Sequence, residues 1–331
     1  QKDFLNIHDP YVKLHHCGRD FYEIGCKTEL SHKQILDTGL PRWICPIEHR
    51  WPSHPDAKDF AERAAQGLIK KFGMAAKLNV VVSPTPELRN VAAHVRARLN
   101  QLFCDLKKST SGDLTDNTAN DRQLGSTLTA LIYRKGVLAG ITKNMTDTGS
   151  PFDAGLGFLS AKEEQNKVSR AAGKILEVLS LLKSVNIDCN DLNNWLELGA
   201  APGGMTQALV LAGASVTAVD LANLKPELLK NENVTHLKVH SDEITTAKSY
   251  SALLSDMNGP SELAVSTVAR LIKTMKPGAV IVHTLKVQDF ESIKSAVSLA
   301  THSFEMNGAQ VILVRHLFHN RKELTIIAVR R

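Results

Sequence analysis

The sequence predicts an α/β domain with a mostly parallel sheet over residues 151–331, preceded by a smaller α+β region over residues 1–150. Three observations lead to it. The C-terminal half alternates short apolar runs with helix-like segments, the pattern of a parallel sheet covered on both faces. Residues 196–204 read Leu-Glu-Leu-Gly-Ala-Ala-Pro-Gly-Gly, an apolar strand entering a tight glycine turn before a helix opens near Met205. The last two apolar runs are separated by His319–Lys322 alone, too short for a parallel crossover, so they form an antiparallel hairpin.

The elements follow in order. In the first region, Asp56–Phe72 and Thr85–Leu106 read as helices, with a strand at Leu78–Val82 between them. Residues 109–126 are rich in Ser, Thr, Asn, Asp and Gly and form a polar loop. A hairpin follows: Leu128–Tyr133, a turn at Arg134-Lys135-Gly136, then Val137–Thr142. Residues 144–165 are the linker. A helix over Lys162–Ser184 places Val168, Ala171, Ala172, Ile175, Leu179 and Leu182 at helical spacing. Strands are expected at Trp195–Leu198, Ser215–Val219, Val234–His240, Ser251–Ser255, Ala279–Leu285, Gln310–Phe318 and Leu324–Val329. The intervening helices are Met205–Ala212, Glu262–Met275 and Asp289–Met306, stopped by Gly213, Pro277-Gly278 and Asn307-Gly308. A seven-stranded, mostly parallel sheet closed by one antiparallel hairpin is the methyltransferase variant of the Rossmann design.

The glycine turn narrows the ligand. A dinucleotide site wants glycine at the first, third and sixth positions of the turn, which here are Gly199, Ala201 and Gly204. The glycine that admits a pyrophosphate is therefore absent, and so is the Gly-Lys-Ser/Thr of a phosphate-binding loop. Asp220 closes the next strand, where an acid can bind a ribose diol. A ligand with a ribose and no phosphates fits, and S-adenosylmethionine is the obvious one. A nicotinamide-dependent oxidoreductase is disfavoured by Ala201.

Composition sets outer bounds. The 331 residues suffice for two domains, and 43% hydrophobic with 22% charged residues is ordinary for a globular protein. The formal charge of +6 suits a polyanionic partner. No apolar run reaches about 18 residues, so no membrane partner is expected. No signal peptide is visible, although the chain begins at Gln1, and five scattered cysteines suggest a reducing compartment; the expected location is cytoplasmic. His15, His16, Cys17, Cys26, Cys45, His49 and His54 cluster in sequence, but no Cys-x-x-Cys pair anchors them. They read as ordinary core or surface residues rather than as a structural zinc site, and no metal is expected.

Four further residues stand at element ends facing the crevice. Lys174 lies on the helix leading into the domain, Asp256 closes the fourth strand, Lys286 closes the fifth, and Glu323 starts the last. In open α/β sheets ligands lie outside the carboxyl ends of parallel strands. An antiparallel strand begins at that same edge.

Residues 165–331 resemble the FtsJ-like ribose methyltransferases. The matching pieces are Ser-Arg-Ala-Ala-Gly-Lys (169–174), the glycine turn (196–204), Ser-Asp-Met (255–257), Thr-Leu-Lys (284–286) and Arg-Lys-Glu (321–323). The resemblance implies a catalytic tetrad of Lys174, Asp256, Lys286 and Glu323. The run His-Leu-Phe-His-Asn-Arg-Lys-Glu-Leu-Thr (316–325) is most similar to the RlmM-like branch, which methylates a ribose of large-subunit, 23S-type ribosomal RNA. That branch implies an N-terminal, THUMP-like RNA-binding domain, for which Pro41–Asn144 is the segment available. The region is short for the branch, which suggests a reduced or missing leading subdomain. Gly173 and Met205 depart from the family pattern, and Gly173 marks a close approach of RNA or another helix.

The expected reaction is methyl transfer from S-adenosylmethionine to a ribose 2′-hydroxyl, with Lys286 orienting or deprotonating the hydroxyl. Gly199, Ala201, Pro202, Gly203 and Gly204 would line the cofactor, Asp220 would hold its ribose and Asp242 its adenine amino group, with Asp256 alongside. Arg170, Arg315, His319 and Arg321, with Lys174, are the expected RNA contacts. Transfer to tRNA, an mRNA cap or a non-RNA substrate, and a non-catalytic RNA-binding role, are the rival readings.

Overall fold

The computed structural model describes residues 11–18, 21–27, 35, 41–42, 44–73, 77–82, 85–110, 127–142, 170–287, 292–317 and 319–331. The polar segment 111–126, the expected linker 144–165 and the first turns of the helix expected from Lys162 lie outside the described residues. The chain divides into two compact units, one of residues 1–36 and 43–153, the other of residues 37–42 and 154–331.

The first unit is α+β. A two-stranded antiparallel hairpin pairs β1 (Lys13–Gly18) with β2 (Phe21–Gly25). A four-stranded sheet has the order β3-β6-β5-β4, from β3 (His49–Trp51), β4 (Lys77–Val82), β5 (Thr127–Tyr133) and β6 (Gly136–Thr142). β4 and β5 run parallel; the other pairs are antiparallel. Helices α1 (Phe60–Phe72) and α2 (Arg89–Thr110) supply Phe60, Ala64, Leu68, Val95, Leu99 and Phe103 to a core completed by Ile132, Val137 and Ala139 of the sheet. The hairpin and β3 are not expected from the sequence. Both are short and half-exposed, and β1 carries Lys, two His and a Cys in place of an apolar alternation. His16 packs on Tyr22 and His49 on Phe72, with ring centroids 5.1 and 6.3 Å apart.

The second unit is a seven-stranded sheet of order β12-β13-β11-β10-β7-β8-β9. Its parallel strands are β7 (Asn194–Leu198), β8 (Ser215–Val219), β9 (Val234–Leu237), β10 (Ala252–Ser255) and β11 (Val280–Lys286). β12 (Ala309–Arg315) and β13 (Glu323–Arg330) are antiparallel to each other, and β13 is antiparallel to β11. Observed ends differ from the expected ones by a residue or two at most strands, and by three at the C-terminal ends of β9 and β12. One face packs under α3 (Arg170–Ser184) and α4 (Gly204–Leu211), where Ile175, Val178 and Leu182 meet Trp195, Leu254, Val282 and Ile327. The other packs under α6 (Ser261–Ile272) and α7 (Ile293–Met306), where Val268, Leu271 and Phe304 meet Leu196, Leu253, Ile281 and Ile326. A one-turn helix α5 (Pro226–Leu229), begun by its proline, follows β8. This is the expected Rossmann-like arrangement with its antiparallel closing hairpin. Among the described residues no helix is long and apolar enough to cross a membrane.

Candidate active site

The C-terminal ends of β7, β8 and β10 open onto one crevice of about 440 Å³. It is floored by Gly199–Pro202 and Gly204, walled by Asp220 and Leu221 on one side and by Asp256 and Met257 on the other, and bounded by His240–Asp242. Gly199 sits at φ +77°, and a Cβ there would lie 2.9 Å from the Asp256 carbonyl oxygen and the Met257 Cα. Neither is a flexible side chain, so glycine is required at this position.

Asp220 lines the crevice and also braces its floor. Its Oδ2 accepts from the Ala201 N–H at 2.9 Å and its Oδ1 from the Ala222 N–H at 2.9 Å. The carboxylate thereby ties the glycine turn to the end of β8 and keeps lone pairs for a diol. Asp242 lies in a short 3-10 turn, Ser241–Glu243, at the far edge of the crevice.

Sequence reasoning did not assign a role to Glu197. It is 2% exposed, lines the crevice and accepts a hydrogen bond from the Thr206 hydroxyl at 2.7 Å. Burial pushes its carboxyl up to about 8, with Asp256 and Asp220 adding to the rise against the Thr206 bond. The available signal was an acid inside the apolar run Trp195–Leu198.

Beside the crevice, four charged side chains close a ring. Lys286 Nζ donates to Asp256 Oδ1 at 2.6 Å and to Glu323 Oε2 at 3.3 Å. Lys174 Nζ donates to Asp256 Oδ2 at 3.3 Å and also pairs with Glu323 Oε1. The topology explains the closure. Lys286 and Glu323 are direct cross-strand partners of the β11–β13 ladder. Asp256 follows β10 and is held by its N–H to the Leu198 carbonyl at 3.0 Å. Lys174 reaches down from α3, which crosses the same face. The side chains are 11–28% exposed, so each charge is partly desolvated but faces its opposites. Burial works against the Lys286 ammonium, yet the hydrogen bond and charge of Asp256, with Glu323 behind, raise its pKa above the ordinary lysine value. Burial likewise opposes the Glu323 carboxylate, but Lys174 and Lys286 hold its pKa below the ordinary range. The ring can therefore hold an acceptor hydroxyl between fixed donors and acceptors.

The expected RNA contacts separate. Arg321 is exposed, and Arg170 opens α3. Arg315, at the end of β12, is buried at 8% exposure rather than on the surface. His319 turns inward: its side chain is 20% exposed, and its Nδ1 lies 3.4 Å from Glu177 Oε2 of α3. The close approach marked by Gly173 is that of this imidazole. A Cβ at 173 would lie 2.4 Å from His319 Cδ2.

Residues 167–327 match the family model for FtsJ-like methyltransferases. The chain is 28% identical over 177 residues to ribosomal RNA large subunit methyltransferase M of Thauera aminoaromatica, covering 51% of this chain and 48% of that protein. It is 32% identical over 138 residues to the protein of the same name from Methylococcus capsulatus, covering 39% and 38%. For the Xylella fastidiosa M12 protein of that name the figures are 28% over 200 residues, 58% and 54%. The chain thus spans about half the length of the curated relatives it matches.

Proposed function

We propose that the second unit, an FtsJ-like methyltransferase domain over residues 167–327, transfers a methyl group from S-adenosylmethionine to a ribose 2′-hydroxyl of RNA, and that its substrate is large-subunit ribosomal RNA. The observation that carries this is the closed ring of Lys174, Asp256, Lys286 and Glu323 at the mouth of a nucleoside-sized crevice. The substrate class follows from the relatives named for that activity.

The crevice fits the cofactor by its donor set. Ala201, standing where a pyrophosphate site needs glycine, suits a ligand without phosphates, Asp220 suits a ribose diol, and Asp242 suits an amino group. S-adenosylmethionine, when bound, supplies a methyl group already activated by its sulfonium. The chain has to align the acceptor and receive its proton. Lys286 donates to the acceptor oxygen and fixes its lone pair, and the hydroxyl proton passes to a ring carboxylate, Asp256 or Glu323. Alignment of this kind can supply about 7–11 kcal/mol of a barrier.

RNA lies over the same sheet edge, gripped by the exposed Arg321 and Lys322. The first unit, residues 1–150 in the sequence division, adds affinity as a THUMP-like RNA-binding domain. Its mixed sheet backed by two helices supports that reading. The test is transfer of labelled methyl from S-adenosylmethionine to total RNA, then mapping of the modified position. Label in large-subunit rRNA that disappears when the mapped nucleotide is supplied as its 2′-deoxy form is expected. Equal labelling of the deoxy form refutes ribose as the acceptor.

A further inference from the structure

The ring depends on a connection that has to be held in place. Glu323 begins β13 directly after the short turn His319–Lys322. That turn is tied to the sheet on one side. Asn320 is 2% exposed and donates through Nδ2 to Thr325 Oγ1 at 3.2 Å, and the Val287 N–H donates to the Lys322 carbonyl at 3.0 Å. Arg42 Nη2 donates to the Asn320 carbonyl at 2.9 Å. On the helix side, His319 reaches α3. Its ring covers Gly173, with Cδ2 and Nε2 only 2.4 and 2.5 Å from where a Cβ would stand, and its Nδ1 meets Glu177.

We propose that Glu177 and His319 form a latch across Gly173, and that they act as positioning residues for Lys174 and Glu323. Three features carry it. Gly173 and Lys174 are consecutive on α3, so whatever sits on Gly173 sets the height of the Lys174 stem. Glu177 lies one helical turn further on, the same face of α3. Its side chain is 7% exposed, so the interaction with the imidazole is largely shielded from water. His319 is four residues before Glu323, so the latch fixes the entry of β13 from one side while Lys174 binds Glu323 from the other. The imidazole against Gly173 leaves no room for any side chain at 173, which gives the glycine a role beyond its unfavourable helix propensity.

The inference rests on reading the ring as the methyl-transfer site, but its test has a readout independent of that reading. The variants are His319→Ala, Gly173→Ala, Gly173→Ala with His319→Ala, and Glu177→Gln, all in the full chain. Hydrogen exchange at the amides of residues 319–323 should quicken about tenfold or more in His319→Ala and in Gly173→Ala, with β7 and β10 unchanged. Single-turnover methyl transfer should fall with it, by up to about 100-fold for a displacement near 1 Å, while S-adenosylmethionine affinity stays within twofold. Glu177→Gln keeps an acceptor for the imidazole and should recover most of the rate. The double variant should be no slower than His319→Ala, because removing the ring removes the clash that the new methyl creates. Unchanged exchange in His319→Ala overturns the latch, as does a double variant whose losses multiply. Altered exchange in a protein that never methylates RNA would keep the latch and refute the function.

Discussion

Lys286 offers a decisive substitution. The ring raises its pKa, so in the resting site it is an ammonium that donates. At an ordinary lysine pKa of about 10.4, roughly one molecule in a thousand would be neutral at pH 7.4, and the carboxylates of Asp256 and Glu323 make that fraction smaller. If Lys286 were the base that removes the hydroxyl proton, the single-turnover rate would climb about tenfold per pH unit to pH 10 or beyond. Positioning predicts a plateau below pH 9. Lys286→Met removes charge and donors, leaving Asp256 and Glu323 as adjoining carboxylates without one of their two cations. The rate should fall at least about 100-fold, some 2.7 kcal/mol of barrier. Lys286→Arg keeps a cation whose fork suits two carboxylates and which cannot lose its proton near neutral pH. It should be clearly faster than Lys286→Met. The assay is single-turnover transfer of labelled methyl to RNA from pH 6 to 10 for the parent and both variants. A unit slope through pH 9, with the arginine variant as inactive as the methionine one, would refute the reasoning and make Lys286 the base.

Three other outcomes follow from the crevice. Gly199→Ala should destabilise the protein by about 2–4 kcal/mol, from left-handed backbone and overlap with residues 256–257. Gly213→Ala, at φ +91° with open space around it, should lose only about 1–2 kcal/mol in urea unfolding, and equal losses would exclude the overlap. Asp220→Ala removes an acceptor from the Ala201 and Ala222 amides, so S-adenosylmethionine affinity by calorimetry should drop about 10-fold or more, and normal affinity would contradict the pocket. Glu197, with its folded pKa raised to about 8, binds a proton in the folded state that the unfolded chain has already lost. Its contribution is full below about pH 4 and disappears as pH rises toward 8, at up to about 1.4 kcal/mol per pH unit. Glu197→Gln should therefore flatten the stability–pH curve of the ligand-free protein between pH 5 and 8, and an unchanged slope would show that Glu197 is ionised in the fold.

Much of the second unit was legible because its signals are local or topological. Apolar runs of four to seven residues with Gly-bearing stops read as buried parallel strands. Once the strand order is set, Asp256 and Lys286 must emerge at one edge, and the short turn before Glu323 brings that residue back to it. Side-chain direction in a connection is another matter. His319 and Arg315 carry the chemistry of surface phosphate contacts, yet one lies against Gly173 of α3 and the other is buried at the end of β12. Only tertiary packing decides that, and no periodicity encodes it. Gly173 held the missing half of the information: the space it leaves was visible, but what fills it was not. Glu197 escaped for a similar reason, since its strand reads as apolar around it. The β1–β2 hairpin escaped because two half-exposed strands with few apolar residues give no alternation to detect.

β13 lies between β12 and β11, although it is the last of the seven in chain order. It joins the two, since among the described residues β12 pairs with no other strand of the sheet, and it brings Glu323 with it. Without Glu323 the two lysines would have only Asp256 to share, and an acceptor hydroxyl would meet an excess of positive charge. On the proposed function, methyl transfer therefore requires the whole sheet, because the ring closes only where β13 pairs with β11.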